Sequence, residues 1–415
     1  MTDLHQAIES VWKQESTRLI AGIARVTRDI CTAEELAQDA LLAALERWPT
    51  DGIPDNPAAW LMTAAKRRAI DNLRRNRMAD LKHAEIIREL EHQQQQLGAA
   101  MDAALDQVID DDILRLIFTA CHPILPVEAR IALTLRLIGG LTTAEIARAF
   151  LVPEKTIGQR IFRAKRTLAE AHIPFELPRR DELRTRLEPV LSVLYLIFNE
   201  GYTATSGDDW MREDLCTEAI RLTRILASLL PTAPEVHALL ALMELQASRT
   251  AARRDATGNA ILLPDQDRTL WDHAQIQRGL TSLQTAQKLG GGAGNYALQA
   301  AIAACHARAS TAADTDWDRI VLLYDGLLQL NPSPIVALNR EVAVGMARGP
   351  AAGLIALDAL APTLPNYHLV PSVRADFLQK LNRPTEARQE LQRALTLTTN
   401  TREQALLTSR LAQIH

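Results

Sequence analysis

Six side chains in one short stretch have the chemistry to read nucleic acid: Lys155, Thr156, Gln159, Arg160, Arg163 and Arg166. Guanidinium, ammonium, amide and hydroxyl groups of this kind reach phosphates and base edges. Among them Ile157, Ile161, Ala164 and Leu168 recur at four, three and four residues, the inward stripe of a helix. A second set is acidic. Glu35, Asp39, Leu42 and Glu46 fall on one face of a predicted helix over 33–48, while Leu36, Ala40 and Ala44 fall on another. A carboxylate face with a leucine in it suits docking on a basic protein surface. A third set is basic: residues 60–77 hold six Lys or Arg against one Asp, and residues 130–172 hold eight against three acids. Both segments are compatible with nucleic acid.

Other residue pairs point to catalysis only weakly. Cys121-His122 and Cys305-His306 are adjacent in sequence, and adjacency without a third, orienting group does not make a nucleophile–base dyad. Gly290-Gly291-Gly292-Ala293-Gly294 lacks the Lys-Ser/Thr that follows a phosphate loop. The four cysteines form no CxxC pair, which argues against a zinc knuckle and a disulfide framework. No catalytic residue, metal or cofactor is expected.

The reading helix needs a partner to hold it. Thr142 or Thr143 is placed to cap a preceding helix, with Glu145 completing the interaction. Ile146, Ala147 and Phe150 give that helix its buried stripe, Leu151-Val152-Pro153 turns the chain, and Pro153 opens the second helix. Residues 142–168 therefore read as a helix-turn-helix. Upstream, Pro49, Gly52, Pro54 and Pro57 predict an irregular loop over 49–57. The basic helix after it buries Leu61, Ala65, Ala69 and Leu73 and turns Arg67, Asp71 and Arg74 outward.

The chain has 415 residues, 47% hydrophobic, 23% charged and only 4% aromatic, with a net charge of −4. Its apolar content is mostly Ala and Leu, which favours packed helices over sheets. The fold class expected is all-α. The near-neutral balance excludes a histone-like binder. No signal peptide and no apolar run of membrane-spanning length is evident, so a cytoplasmic protein without a membrane partner is expected. Four segments are predicted: a helical block at 1–80, a polar linker at 81–108 carrying Gln93-Gln94-Gln95-Gln96, a helix-turn-helix block at 109–173, and a helical array at 181–415 beyond Pro174 and Pro178. Asn331-Pro332, Leu364-Pro365 and Thr399-Asn400 each follow an apolar helix and lie 33 and 35 residues apart, near the tetratricopeptide period.

The order of these parts resembles a known family. Glu34-Glu35-Leu36-Ala37-Gln38-Asp39-Ala40, then Trp60-Leu61, then Ile70-Asp71-Asn72-Leu73-Arg74-Arg75, looks like region 2 of extracytoplasmic-function (ECF) sigma factors of the sigma-70 family. The helix-turn-helix, ending Arg163-Ala164-Lys165-Arg166-Thr167-Leu168, looks like their region 4. The remainder, with Leu196-Ile197-Phe198-Asn199-Glu200-Gly201-Tyr202 and Asp208-Asp209-Trp210, resembles the tetratricopeptide-like C-terminal extension of one subgroup. The resemblance implies an RNA polymerase sigma factor that is not an enzyme, with core polymerase (the β′ clamp helices and β flap) and promoter DNA as partners.

Roles follow by position. Glu35, Gln38, Asp39, Leu42 and Glu46 would bind polymerase. Asp51, Asp55 and Asn56 would read the −10 element, with Lys66, Arg67, Arg74 and Arg75 on the melting strand. Lys155, Thr156, Gln159, Arg160, Arg163 and Arg166 would read the −35 element. Arg68 stands where relatives often carry Asn, and the loop is rich in proline, so base preference does not transfer. The extension is expected to regulate or support the sigma core and to bind a protein or peptide, with Phe198 and Tyr202 as anchors of an intramolecular docking. The alternative is a free-standing helix-turn-helix regulator that senses a ligand or peptide through its repeats.

Overall fold

The computed structural model describes residues 2–75, 112–150, 152–179, 182–202, 211–255, 261–398 and 401–414, and the regular structure among them is helical. The expected linker at 81–108 lies outside the described residues. The chain divides into two compact units, Met1–Ile197 and Phe198–His415.

The first unit begins with α1 (Thr2–Thr27), α2 (Ile30–Asp51) and α3 (Pro57–Arg75), which pack on one another. Asp29 starts α2: its carboxylate accepts from the Cys31 and Thr32 amides at 3.2 and 2.9 Å, satisfying donors the first turn leaves open. Leu36, Ala40 and Ala44 of α2 are buried with Leu61, Ala65 and Ala69 of α3, as their spacing predicts. The irregular stretch expected at 49–57 is shorter, because α2 runs through Pro49 to Asp51. Pro49 has no N–H to give the Leu45 carbonyl, so the helix carries one missing ladder bond close to its end. The Gly52 amide donates to the Trp48 carbonyl at 3.0 Å, and the Thr50 hydroxyl donates to the Arg47 carbonyl at 2.9 Å. Gly52 has φ +82°, a conformation open to glycine, and it ends the helix.

The same unit continues with α4 (112–120), α5 (Val127–Leu137), α6 (Thr143–Phe150) and α7 (Glu154–Glu170). The α6 cap is reciprocal. The Thr142 amide and hydroxyl donate to Glu145 Oε2 at 2.7 and 2.8 Å, and the Glu145 amide donates to the Thr142 hydroxyl at 3.1 Å. Next comes α8 (Leu183–Tyr202), whose beginning belongs to the first unit although the sequence assigns it to the array. Arg186 Nη2 donates to the Phe118 carbonyl of α4 at 3.3 Å.

The second unit runs through α9 (Glu213–Leu229), α10 (Pro234–Ala247), α11 (His273–Lys288), α12 (Asn295–Arg308), α13 (Trp317–Leu330), α14 (Pro334–Arg348), α15 (Pro350–Leu360), α16 (Leu369–Lys380), α17 (Pro384–Leu397) and α18 (Thr401–Ala412). Consecutive helices lie against each other, so each buries its apolar stripe on its neighbours. Gly345 of α14 and Gly353 of α15 lie so near the ring of buried Phe377 on α16 that a Cβ at either would meet it.

Candidate nucleic-acid and polymerase interface

Ile157, Ile161, Ala164 and Leu168 of α7 are all buried, which fixes the rotation of the helix and therefore what its outer side presents. Lys155, Gln159, Arg163 and Arg166 are exposed, while Thr156 and Arg160 are half-buried. Arg166 pairs with Glu170 at 3.3 Å, both solvent-facing. Phe162, among these cations, is 64% exposed. On α2, Glu35, Asp39, Leu42 and Glu46 are exposed along one side. Gln38 instead turns inward and donates to Glu34 Oε1 at 3.0 Å.

Asp55 and Asn56 lie in the loop and Asp51 on the last residue of α2, all three exposed. Asn56 is engaged: its side-chain oxygen accepts from the Ala59 amide at 3.0 Å and opens α3. Trp48 of α2 and Trp60 of α3 meet edge-to-face at 5.5 Å on either side of this loop. Trp48 is buried with no hydrogen-bond partner on its indole N–H. Sequence reasoning missed this aromatic brace, although two tryptophans flanking a proline-rich segment are its visible signal. Arg67 is exposed and Lys66 half-buried; Arg74 and Arg75 close α3, with side chains outside the described set.

One carboxylate joins the two helical blocks of the first unit. Glu34 is 4% exposed. Its Oε1 accepts from Arg136 Nε of α5 at 2.8 Å, and its Oε2 accepts from Lys165 Nζ of α7. Nearby contacts repeat the connection: the Thr17 hydroxyl of α1 donates to the Ile138 carbonyl at 2.8 Å, and Arg25 pairs with buried Asp112 at 3.3 Å. Lys66 lies in the same field. Burial and the Arg25 charge lower its pKa, opposed by Asp112. Glu34 opens the segment Glu34–Ala40 that resembles region 2, and its place in the helix accounts for its burial. The clue was its position beside Ala33 and Ala37, on the face that must be buried, where a carboxylate needs cationic partners.

The Cys–His pairs are not poised for nucleophilic chemistry. Burial pushes the Cys121 thiol up to about 11, and burial with the charge of Arg186 pushes His122 down to about 4. Thiolate and imidazolium are thus both disfavoured. Cys31, Cys216 and Cys305 are also free thiols with raised pKa values, chiefly through burial. Phe198, fully buried, and Tyr202 stack at 5.6 Å within the second unit. No described helix is long and apolar enough to cross a membrane.

Residues 12–78 match the family Sigma-70 region 2, and residues 115–168 match Sigma-70, region 4. An ECF RNA polymerase sigma factor, SigK of Mycobacterium ulcerans, is 32% identical over 156 residues, covering 37% of this chain and 78% of that protein. The chain belongs to the ECF RNA polymerase sigma factors. SigK of Mycobacterium tuberculosis is 29% identical over 166 residues, covering 39% of this chain and 83% of its own length. An uncharacterized protein of Rhizobium meliloti is similar almost throughout, 43% identical over 389 residues, with 94% of this chain and 91% of that protein covered. In this sigma factor α1–α3 carry region 2 and α4–α7 carry region 4, so Glu34 is a region 2 residue held by two region 4 cations. Residues 186–287 match a family of unknown function, DUF6596.

Proposed function

We propose that this sigma factor engages core polymerase through the exposed side of α2 and reads its promoter through α7 and the segment 51–56. Glu35, Asp39, Leu42 and Glu46 form the polymerase dock, with Gln38 at its edge. Lys155, Thr156, Gln159, Arg160, Arg163 and Arg166 meet the −35 element. Asp51, Asp55 and Asn56 meet the −10 element, and Lys66, Arg67, Arg74 and Arg75 follow the melted strand. The observation that carries this reading is the split of each helix: the aliphatic stripe is buried, while Glu35, Asp39, Leu42 and Glu46 on α2 and Lys155, Gln159, Arg163 and Arg166 on α7 are exposed. Positive groups along a strand supply affinity, and groups reaching base edges supply selection.

The protein acts in the cytoplasm and adds no catalysis of its own. Its extension, a tetratricopeptide-like array, regulates or supports the sigma core and takes a protein or peptide partner; arrays of helical pairs offer extended surfaces for such contacts. In vitro transcription with core enzyme and a promoter library tests the reading. Start-site selection that depends on this chain is expected. Binding to DNA with no selection by polymerase would favour a free-standing regulator instead.

A further inference from the structure

Three guanidinium groups gather around two aromatic rings in the second unit. Arg253 is buried, with its guanidinium carbon 3.6 Å from the centre of the Tyr202 ring and Nη1 donating to the Tyr202 carbonyl at 2.6 Å. Arg249 lies 6.0 Å from the Tyr202 ring and 5.9 Å from the Trp271 ring, and its Nη2 donates to the Tyr202 hydroxyl at 2.6 Å. Arg268 stands over Trp271 at 4.6 Å, with Nη1 donating to the carbonyls of His306 and Ala309 at 2.6 and 2.7 Å.

At Arg249 and Arg268 the partners are ring faces, a phenol oxygen and backbone carbonyls, all uncharged. Arg249 and Arg268 make no ion pair with a carboxylate among the described residues. Asp314, whose charge opposes the others at Arg268, accepts from the Thr311 amide and hydroxyl at 3.0 and 2.9 Å. Trp271, 3% exposed, adds a buried indole N–H with no hydrogen-bond partner. An orphaned donor of this kind is costly to keep, and burial and then the like charge of Arg249 disfavour the charged form of Arg268. His306 registers the field: burial, then the charges of Arg249 and Arg268, hold its pKa at about 4.

We propose that the Arg249–Arg268–Trp271 cluster is a binding site for a small phosphoryl dianion, either inorganic phosphate or a phosphate monoester. A carboxylate is saturated by one guanidinium fork. A tetrahedral dianion offers three or more oxygens to two forks and matches their charge. Both arginines are half-buried, so each keeps a side that a ligand can reach. Tyr202, Arg249, Arg253, Arg268 and Trp271 all lie within 186–287, so the site gives that family-matched segment a ligand chemistry.

The test is calorimetric titration of the full chain with inorganic phosphate, phenyl phosphate and succinate, each against chloride at equal ionic strength. Saturable binding of phosphate or phenyl phosphate is expected, and which of the two is tighter identifies the source. Arg268→Lys keeps the charge but loses the fork and should weaken binding about tenfold or more. Arg249→Met with Arg268→Met should abolish it, whereas Lys288→Gln, an exposed lysine on α11, should leave it unchanged. Circular dichroism melts of each variant establish folding. If the double variant does not fold, Arg268→Lys carries the test alone. Absence of saturable phosphate binding, equal binding by Arg268→Lys, or tighter binding of succinate would overturn the proposal.

Discussion

Glu34 of α2 and Lys165 of α7, 131 positions apart in sequence, form an ion pair that ties region 2 to the helix expected to read the −35 element. The carboxylate is almost fully buried and both its cations are partly so. Glu34→Gln keeps the shape and removes the charge, leaving Arg136 and Lys165 to face each other. Breaking such a pair should cost about 3 kcal/mol, at the low end for a buried pair because both cations keep a solvent-facing side. Small-angle scattering of the free chain should show a larger radius of gyration, and the first urea transition should fall to lower concentration. An unchanged radius and transition would show that the pair does not hold the regions together.

At the far side of α7, Arg163→Ala and Arg160→Ala should each weaken −35-dependent transcription by about 1–3 kcal/mol if they contact bases. The exposed Arg163 should lose more than half-buried Arg160, whose stem also packs. Run-off transcription from promoters with intact and scrambled −35 elements checks this. Equal output from wild type and the double variant would refute the assignment.

Reversing charge at exposed Glu35 and Asp39 sets cations against a basic partner surface, which lowers affinity and slows association. With Glu35→Lys and Asp39→Lys together, pull-down by core polymerase should fall at least tenfold while DNA binding by the isolated chain persists. Retention at wild-type yield would make this face an ordinary solvated one.

His122 and His306 are each held at about 4, below the ordinary 6.5, first by burial and then by neighbouring arginines. The unfolded chain therefore binds more protons between about pH 6.5 and 4, and stability should fall as pH drops through that window. Asp29, lowered by its bonds to Thr32 and Cys31 against the effect of burial, acts further down. Its contribution is present above 3.8 and lost as pH falls through the folded value. Urea midpoints from pH 7 to 4 should decline, and His122→Gln with His306→Gln should flatten the decline. A flat wild-type profile would contradict it.

Gly345→Ala would place a methyl group 2.3 Å from two ring carbons of Phe377, which is 1% exposed and has nowhere to retreat. Overpacking of this kind should cost about 1–3 kcal/mol. The substitution should lower the melting temperature, with Gly349, whose added Cβ meets nothing but whose φ is +93°, as a comparison for backbone strain alone.

Much of this was legible in the sequence for physical reasons. The stripe Ile157–Ile161–Ala164–Leu168 and the Thr142–Glu145 cap follow from helical periodicity and short-range hydrogen bonding, and both stand in the structure. Local rules also placed the exposed set Glu35, Asp39, Leu42 and Glu46. Long-range partners were not legible. Nothing near Glu34 in sequence points to Arg136 or Lys165, and nothing near Trp271 points to Arg249. Pro49 misled because a proline normally argues against helix, yet here the helix carries on for two residues past it with one missing donor to the Leu45 carbonyl, and ends at Gly52.

The four raised thiols have a practical consequence. Maleimide and iodoacetamide chemistry proceeds through the thiolate, and at neutral pH Cys31, Cys121, Cys216 and Cys305 hold almost none of it. A cysteine introduced on an exposed position such as Glu46 or Arg163 would therefore outcompete the native ones for reagent. Fluorophores or spin labels can be attached site by site in the unmodified background, with no cysteine-free variant to build and no native core disturbed to obtain one.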